Sequence, residues 1–123
     1  MKSIKFANGK KYEIIECYNN GKRYINGETR NCREIVMSDE VIGLDELKTL
    51  LVEPANLSVI EVYMNEDREI NGEIVHLEDT EILENFVCAD EIKYNFKGEI
   101  LFKLGQKTEA EKAIDDLLIA MEV

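Results

Sequence analysis

Proline, histidine, tryptophan and long apolar runs are scarce or missing in this 123-residue sequence. A single proline and a 45% hydrophobic fraction exclude a proline-rich linker and an intrinsically disordered chain. The longest apolar runs, such as LLIAM at 117–121, fall short of the roughly 18 residues that a membrane-spanning helix needs. The chain begins with alternating residues and early turn signals, so we expect no signal peptide and no membrane partner.

Motifs for catalysis and cofactor binding are also missing from the sequence. It contains no GxxxxGK[ST] or GxGxxG phosphate loop, no GxSxG elbow, no HExxH pair and no DxDxDG calcium loop. The one histidine, His76, lies in IVHL, and this setting is typical of a strand residue on a partly exposed face. Acidic pairs are too abundant for any two to stand out as an acid and a base. We therefore predict that the protein is not an enzyme and has no catalytic residues and no cofactor.

The three cysteines, Cys17, Cys32 and Cys88, are widely spaced and form no CxxC pair. With His76 they would match a Cys₃His zinc set in number, but nothing in their spacing favours one. Cys17 and Cys88 lie in apolar segments, where free cysteine behaves as a small hydrophobic residue. We predict reduced thiols in or near the core, and no metal site.

Charge is the most informative bulk property, because the net charge of −11 is unevenly distributed. Residues 1–33 hold eight Lys or Arg and three Glu, whereas residues 34–92 hold two Lys or Arg and seventeen Asp or Glu. Binding to nucleic acid needs a dominant cationic face, so direct nucleic-acid binding is disfavoured. An acidic surface instead attracts a basic protein and speeds the encounter. The alternative interpretation is that the acidic surface only keeps the protein soluble.

The candidate partner-binding residues are acids in the middle of this block. They are Glu61, Glu66, Asp67, Glu69, Glu73, Glu78 and Asp79. We expect residues 65–67 to form a turn, so that charge reversal at Glu66, Asp67 and Glu69 would leave the fold intact.

Strand patterns and turn dipeptides dominate the chain. Asn-Gly at 8–9 and 26–27 predicts tight turns between short strands, and 19–22 and 97–98 predict two more. Asn-Gly at 71–72 predicts either a turn or a bulge. Residues 12–18 form one predicted strand, and 58–64 is apolar on both faces except at Glu61, as in a central strand. We predict one α+β domain over 1–123, with a mainly antiparallel sheet of about six to eight strands.

Two helices complete the predicted fold. A short one covers 43–51, with Gly43 as its N-cap and leucines at helical spacing, and it ends before Pro54. The second follows a capping box formed by Thr108 and Glu111. We expect this C-terminal helix to pack on the sheet through an apolar stripe. Its residues are Ala110, Ala113, Ile114, Leu117, Leu118 and Met121.

Five stretches in order resemble a family of small proteins encoded among the tail and baseplate genes of tailed phages and prophages of Gram-positive bacteria. They are 4–9 (IKFANG), 26–31 (NGETRN), 44–47 (LDEL), 54–60 (PANLSVI) and 99–111 (EILFKLGQKTEAE). The resemblance implies a role in the tail region and brings no catalytic residues. This sequence differs from the family in two features. It has glycine at 43, where the family usually has threonine, and residues 34–92 are unusually acidic.

Two functions therefore compete at this point. One is a virion or tail-assembly accessory protein that acts by protein–protein interaction, with another phage tail protein or a further copy of itself as partner. The other is an anti-defence inhibitor, of the kind that blocks CRISPR systems, whose acidic surface mimics nucleic acid and binds a basic host protein. Either would be made in the host cytoplasm, and the first could end in the virion.

Overall fold

Ten β-strands, two α-helices and one 3₁₀ helix are found in residues 2–121, which are the residues that the computed structural model describes. The strands are β1 (Lys2–Lys5), β2 (Lys11–Ile14), β3 (Glu16–Ile25), β4 (Glu28–Ser38), β5 (Val59–Met64), β6 (Glu66–Ile70), β7 (Glu73–Leu77), β8 (Thr80–Glu84), β9 (Cys88–Tyr94) and β10 (Glu99–Gly105). The helices are α1 (Leu44–Val52), the 3₁₀ helix (Pro54–Leu57) and α2 (Glu109–Met121). The predicted α+β class, with mainly antiparallel strands, a short internal helix and a C-terminal helix, is confirmed. The single domain over 1–123 remains a prediction, and its ends at Met1, Glu122 and Val123 lie outside the described residues.

The strands form two four-stranded sheets and a separate two-stranded ribbon. The first sheet has the order β2-β1-β5-β8 and the second β3-β4-β10-β9, while β6 pairs with β7 alone. Every pairing is antiparallel. The inner position of β5 agrees with the apolar residues on both of its faces.

A corner at Ile15 carries the chain from the first sheet to the second. Ile14 closes β2 with its side chain buried, and the amide of Ile15 donates to the carbonyl of Val36 at 2.8 Å. Glu16 then begins the pairing of β3 with β4. The prediction of one strand over 12–18 was therefore wrong, because this segment contributes to two sheets and bends between them.

Two predicted turns are strand instead, and one of them belongs to β6, a strand that was not expected. Residues 19–22 form a bulge within β3, where Gly21 has φ 67° and the register with β4 shifts. The chain extends β3 because pairing with β4 resumes beyond the bulge. Residues 66 and 67 lie in β6 because they pair with Leu77 and His76 of β7.

One apolar core receives side chains from both sheets and from α1. The first sheet contributes Ile4, Ile60 and Val62, among others, and the second contributes Ile35 and Phe102. The predicted stripe of α1 is largely confirmed, since its buried residues are Leu47, Leu50 and Leu51. Gly43 caps this helix without a side-chain hydrogen bond, as expected for glycine. The core therefore lies between the sheets and α1, and α2 contributes no buried residue to it.

Candidate functional site

The β6–β7 ribbon carries most of the acids that the sequence singled out. Its two strands run from Glu66 to Ile70 and from Glu73 to Leu77, joined by Asn71 and Gly72 at φ 53° and 81°. Positive φ at both turn residues is the type I′ geometry that matches the twist of a two-residue hairpin. All five residues of β6 are exposed, and β7 has no buried residue. The ribbon therefore presents both of its faces to solvent.

The ribbon collects six carboxylates, but it divides them between its faces. Glu66 and Glu73 share one face, because Glu73 lies opposite Ile70 and alternate residues of a strand point the same way. Asp67 and Glu69 lie on the other face. The remaining two, Glu78 and Asp79, follow β7 at the base of the ribbon. These six acids are called the acidic ribbon below; they surround a hairpin and do not form one flat face.

His76 links two members of the acidic ribbon. Its Nδ1 atom lies 2.6 Å from Oδ1 of Asp67, and its Nε2 atom lies 3.3 Å from Oε1 of Glu78. The hydrogen bond with Asp67, aided by the nearby negative charges, raises the pKa of His76 above its usual value. Both side chains are mostly exposed to water, which screens their charges, so this pairing is weak. It agrees with the prediction of a strand histidine on an exposed face.

Glu61 lies apart from the acidic ribbon, on the outer face of the first sheet. Its cross-strand partner is Lys5, and its carboxylate accepts a hydrogen bond from the hydroxyl of Tyr63. That bond is the main reason why the pKa of Tyr63 is raised. Lys11 lies over the Tyr63 ring, with Nζ 4.4 Å from the ring centroid. Glu61 therefore belongs to a mixed-charge surface with two lysines, and the structure does not group it with the other six acids.

The C-terminal helix α2 is turned away from the orientation that we predicted. Ile114, Leu117, Leu118 and Met121 were expected to pack on the sheet, but between 54% and 73% of each residue is exposed. The half-buried positions of the helix are instead the polar residues Glu111, Lys112 and Asp115. The prediction that the stripe packs on the sheet was wrong: the polar side of α2 faces the body and the apolar side faces solvent.

Ion pairs explain this orientation. Arg30 of β4 is 3% exposed, and both terminal nitrogens of its guanidinium donate to the Glu111 carboxylate. Its Nε atom donates to the carbonyl of Ile25 at 2.7 Å. A buried guanidinium without a counter-charge is very costly, so Glu111 is held against the body. Lys107 adds a second contact to Asp115, with Nζ 2.5 Å from Oδ2.

The predicted capping box forms at the start of α2 and shares Glu111 with the ion pair to Arg30. The amide of Thr108 donates to Oε1 of Glu111 at 2.9 Å, and the amide of Glu111 donates to Oγ1 of Thr108 at 3.2 Å. The hydrogen bonds from Arg30 and Thr108 together lower the pKa of Glu111 to about 2. One carboxylate thus caps the helix and neutralises the buried arginine.

Sequence reasoning identified Glu111 as a cap and missed its pairing with Arg30. A signal was present, because Arg30 shares its strand face with Cys32, two residues on. Both prove to be buried. A lone arginine on an inward-facing strand position indicates a buried ion pair, but its partner, 81 residues away in sequence, has no local signature.

The cysteines are free thiols, with Cys32 buried and the other two half-buried. Burial raises the pKa of Cys17 to about 11, and it also raises the pKa of Cys32. Among residues 2–121, no three His, Cys, Asp or Glu side chains are grouped as metal ligands. Neither α-helix in this part of the chain has the length and apolar character of a membrane span.

Comparison of the chain with protein-family models, with curated proteins and with solved structures found no significant match.

Proposed function

We propose that this protein is a phage-derived accessory protein of the virion or of tail assembly, and that it acts by protein–protein interaction through the acidic ribbon. The observation that carries the interaction is a hairpin, exposed on both faces, that bears four carboxylates and a single arginine and has two further carboxylates at its base. The placement in the tail is supported by the family resemblance of the five sequence stretches.

The geometry of the ribbon suits recognition of a basic surface. Arg68 is already engaged with Glu66, with 3.1 Å between Nη2 and Oε2, and His76 is engaged with Asp67. Glu69 and Glu73, near the tip, take part in none of the ion pairs of residues 2–121. Charges at the tip of a projecting hairpin reach a partner first and steer its approach.

The second candidate is an anti-defence inhibitor, and it is favoured by the same ribbon. Carboxylates spaced along two strands present a series of negative charges, as a nucleic-acid backbone does. A basic nucleic-acid-binding protein of the host could be occupied by such a series. The two candidates differ in where the protein ends up, because a tail component stays with the particle and an inhibitor does not.

Mass spectrometry of purified phage particles distinguishes the candidates. We expect the protein in a fixed ratio to the other tail proteins, at a level well above that of host contaminants. Its absence from both finished particles and purified tail-assembly intermediates, with abundant protein in the lysate, would overturn the tail assignment and favour the inhibitor.

A pair of charge-reversal variants tests the ribbon itself. Glu69→Lys combined with Glu73→Lys should reduce incorporation into particles about tenfold or more, because it reverses the charge of the ribbon tip. Glu40→Lys combined with Glu84→Lys is the matched control, since both acids are exposed, lie outside the ribbon and change the net charge equally. Equal incorporation of both double variants and the wild type would show that the ribbon is not the contact.

A further inference from the structure

The outward stripe of α2 is an exposed apolar surface that the acidic ribbon does not explain. The stripe consists of Ala110, Ala113, Ile114, Leu117, Leu118 and Met121, and all six residues are exposed. On a helix they fall within one apolar face, and the polar residues Glu111, Lys112 and Asp115 face the body. An amphipathic helix with its polar side inward and its apolar side outward has its natural contact outside this chain.

The charges around the stripe indicate what covers it. Three of the four acids on α2 are already paired within the chain: Glu109 with Lys112, Glu111 with Arg30, and Asp115 with Lys107. The four acids and Lys112 give α2 a net charge of −3, and its partners Arg30 and Lys107 reduce this to −1, whereas the whole chain has a net charge of −11. A basic partner finds little to attract it here, and a second acidic chain is not repelled at this place as it would be at the ribbon.

We propose that the stripe is the interface of a homodimer, in which the α2 helices of two copies pack antiparallel across a two-fold axis. A two-fold interface must be complementary to itself, and an uncharged apolar stripe meets this condition. Antiparallel packing also brings opposite ends of the two helix dipoles together, which suits α2 because its last turn has no basic residue.

The small size of the stripe indicates a weak dimer whose formation depends on concentration. Four large side chains and two alanines from each copy would cover roughly 1,000 Å² in total, near the lower limit for a specific interface. We therefore expect a dissociation constant on the order of 10 µM. This inference does not depend on the tail assignment or on the acidic ribbon.

Sedimentation velocity of the full chain, from about 1 µM to about 300 µM, tests the proposal. The wild type should pass from monomer to dimer over this range. Leu117→Glu should raise the dissociation constant at least tenfold, because it places a carboxylate in the centre of the stripe. Circular dichroism should show an unchanged fold, since Leu117 is 60% exposed in the single chain.

Ile119→Glu is the matched control within the same helix. Ile119 is also exposed, at 63%, but it lies two residues from Leu117 and thus on the side of the helix away from the stripe. This variant should form dimers like the wild type. If Leu117→Glu alters the fold, Ala113→Gln at the edge of the stripe provides a milder variant, with weaker association expected.

Salt provides a second measurement. Raising the salt concentration screens the repulsion between two acidic chains but leaves apolar contact in place, so dimerisation should hold or strengthen. A wild type that stays monomeric over the whole range would overturn the proposal. So would dimerisation that Leu117→Glu leaves unchanged or that salt abolishes.

Discussion

Gly105, the last residue of β10, lies directly against the buried side chain of Arg30. A Cβ atom placed on Gly105 would be 3.0 Å from Cδ of Arg30 and 3.2 Å from Cδ1 of Ile25. Neither neighbour can move easily, because Ile25 is buried and Arg30 is held by hydrogen bonds to the Ile25 carbonyl and to Glu111. The absence of a side chain at 105 is thus part of what positions the arginine.

Gly105→Ala should therefore destabilise the protein by about 1–3 kcal/mol, the usual cost of overpacking a filled site. Urea unfolding measures this change. Gly43→Ala is a suitable comparison, since no atom lies within 4 Å of the corresponding Cβ position, although alanine is also a poorer N-cap. An unchanged midpoint for Gly105→Ala would show that the Arg30 site is looser than its contacts indicate.

The pair of Arg30 and Glu111 should make stability depend on pH in the acid range. The pKa of Glu111 falls from 4.5 to about 2 on folding, chiefly through the hydrogen bonds from Arg30, so folding favours the charged form. Its contribution is complete above the unfolded pKa and is lost as the pH falls from 4.5 towards 2. The free energy of unfolding of Glu111→Gln should fall less over this window than that of the wild type.

Glu109→Gln is the control for that experiment, because Glu109 lies in the same helical turn and its side chain is 92% exposed. Its pH profile should follow the wild-type profile. Parallel curves for the wild type and Glu111→Gln would contradict a stabilising role for the ionised carboxylate.

Two leucines on the two α-helices should respond very differently to truncation. Leu47 of α1 is fully buried, so Leu47→Ala should cost about 2–5 kcal/mol. Leu117 of α2 is largely exposed, so Leu117→Ala should change the stability of the monomer by no more than about 0.5 kcal/mol. Denaturant unfolding at a concentration below that of dimer formation measures both. A large loss in Leu117→Ala under these conditions would mean that the stripe packs within its own chain.

The thiols of Cys17 and Cys32 should be slow to react. Burial raises the pKa of both groups, to about 11 for Cys17, and the thiolate is the reactive form. Alkylation with iodoacetamide at pH 8, followed by peptide mass spectrometry, should label both residues much more slowly in the folded protein than in urea. Equal rates in the two conditions would show that these sites open readily.

Local signals in the sequence determined the Asn-Gly turns, the capped ends and the class of the fold. The Asn-Gly pairs at 26–27 and 71–72 adopt positive φ at both residues, because asparagine and glycine accept this conformation at little cost. The Thr108–Glu111 capping box and the break at Pro54 likewise depend on neighbouring residues alone. The concentration of acids in 34–92 was also evident, but the pairing of β6 with β7 that brings them together was not, because 65–67 was expected to be a turn.

Tertiary structure decided the corner at Ile15, the bulge at Gly21, the isolation of Glu61 and the orientation of α2. Each depends on a partner distant in the chain: β3 pairs with β4 on both sides of its bulge, and Glu61 lies opposite Lys5 of β1. The periodicity of α2 showed that it has an apolar face but could not show where that face points. The cost of burying the Arg30 charge selected the polar side of the helix for the body, and the apolar stripe was left at the surface.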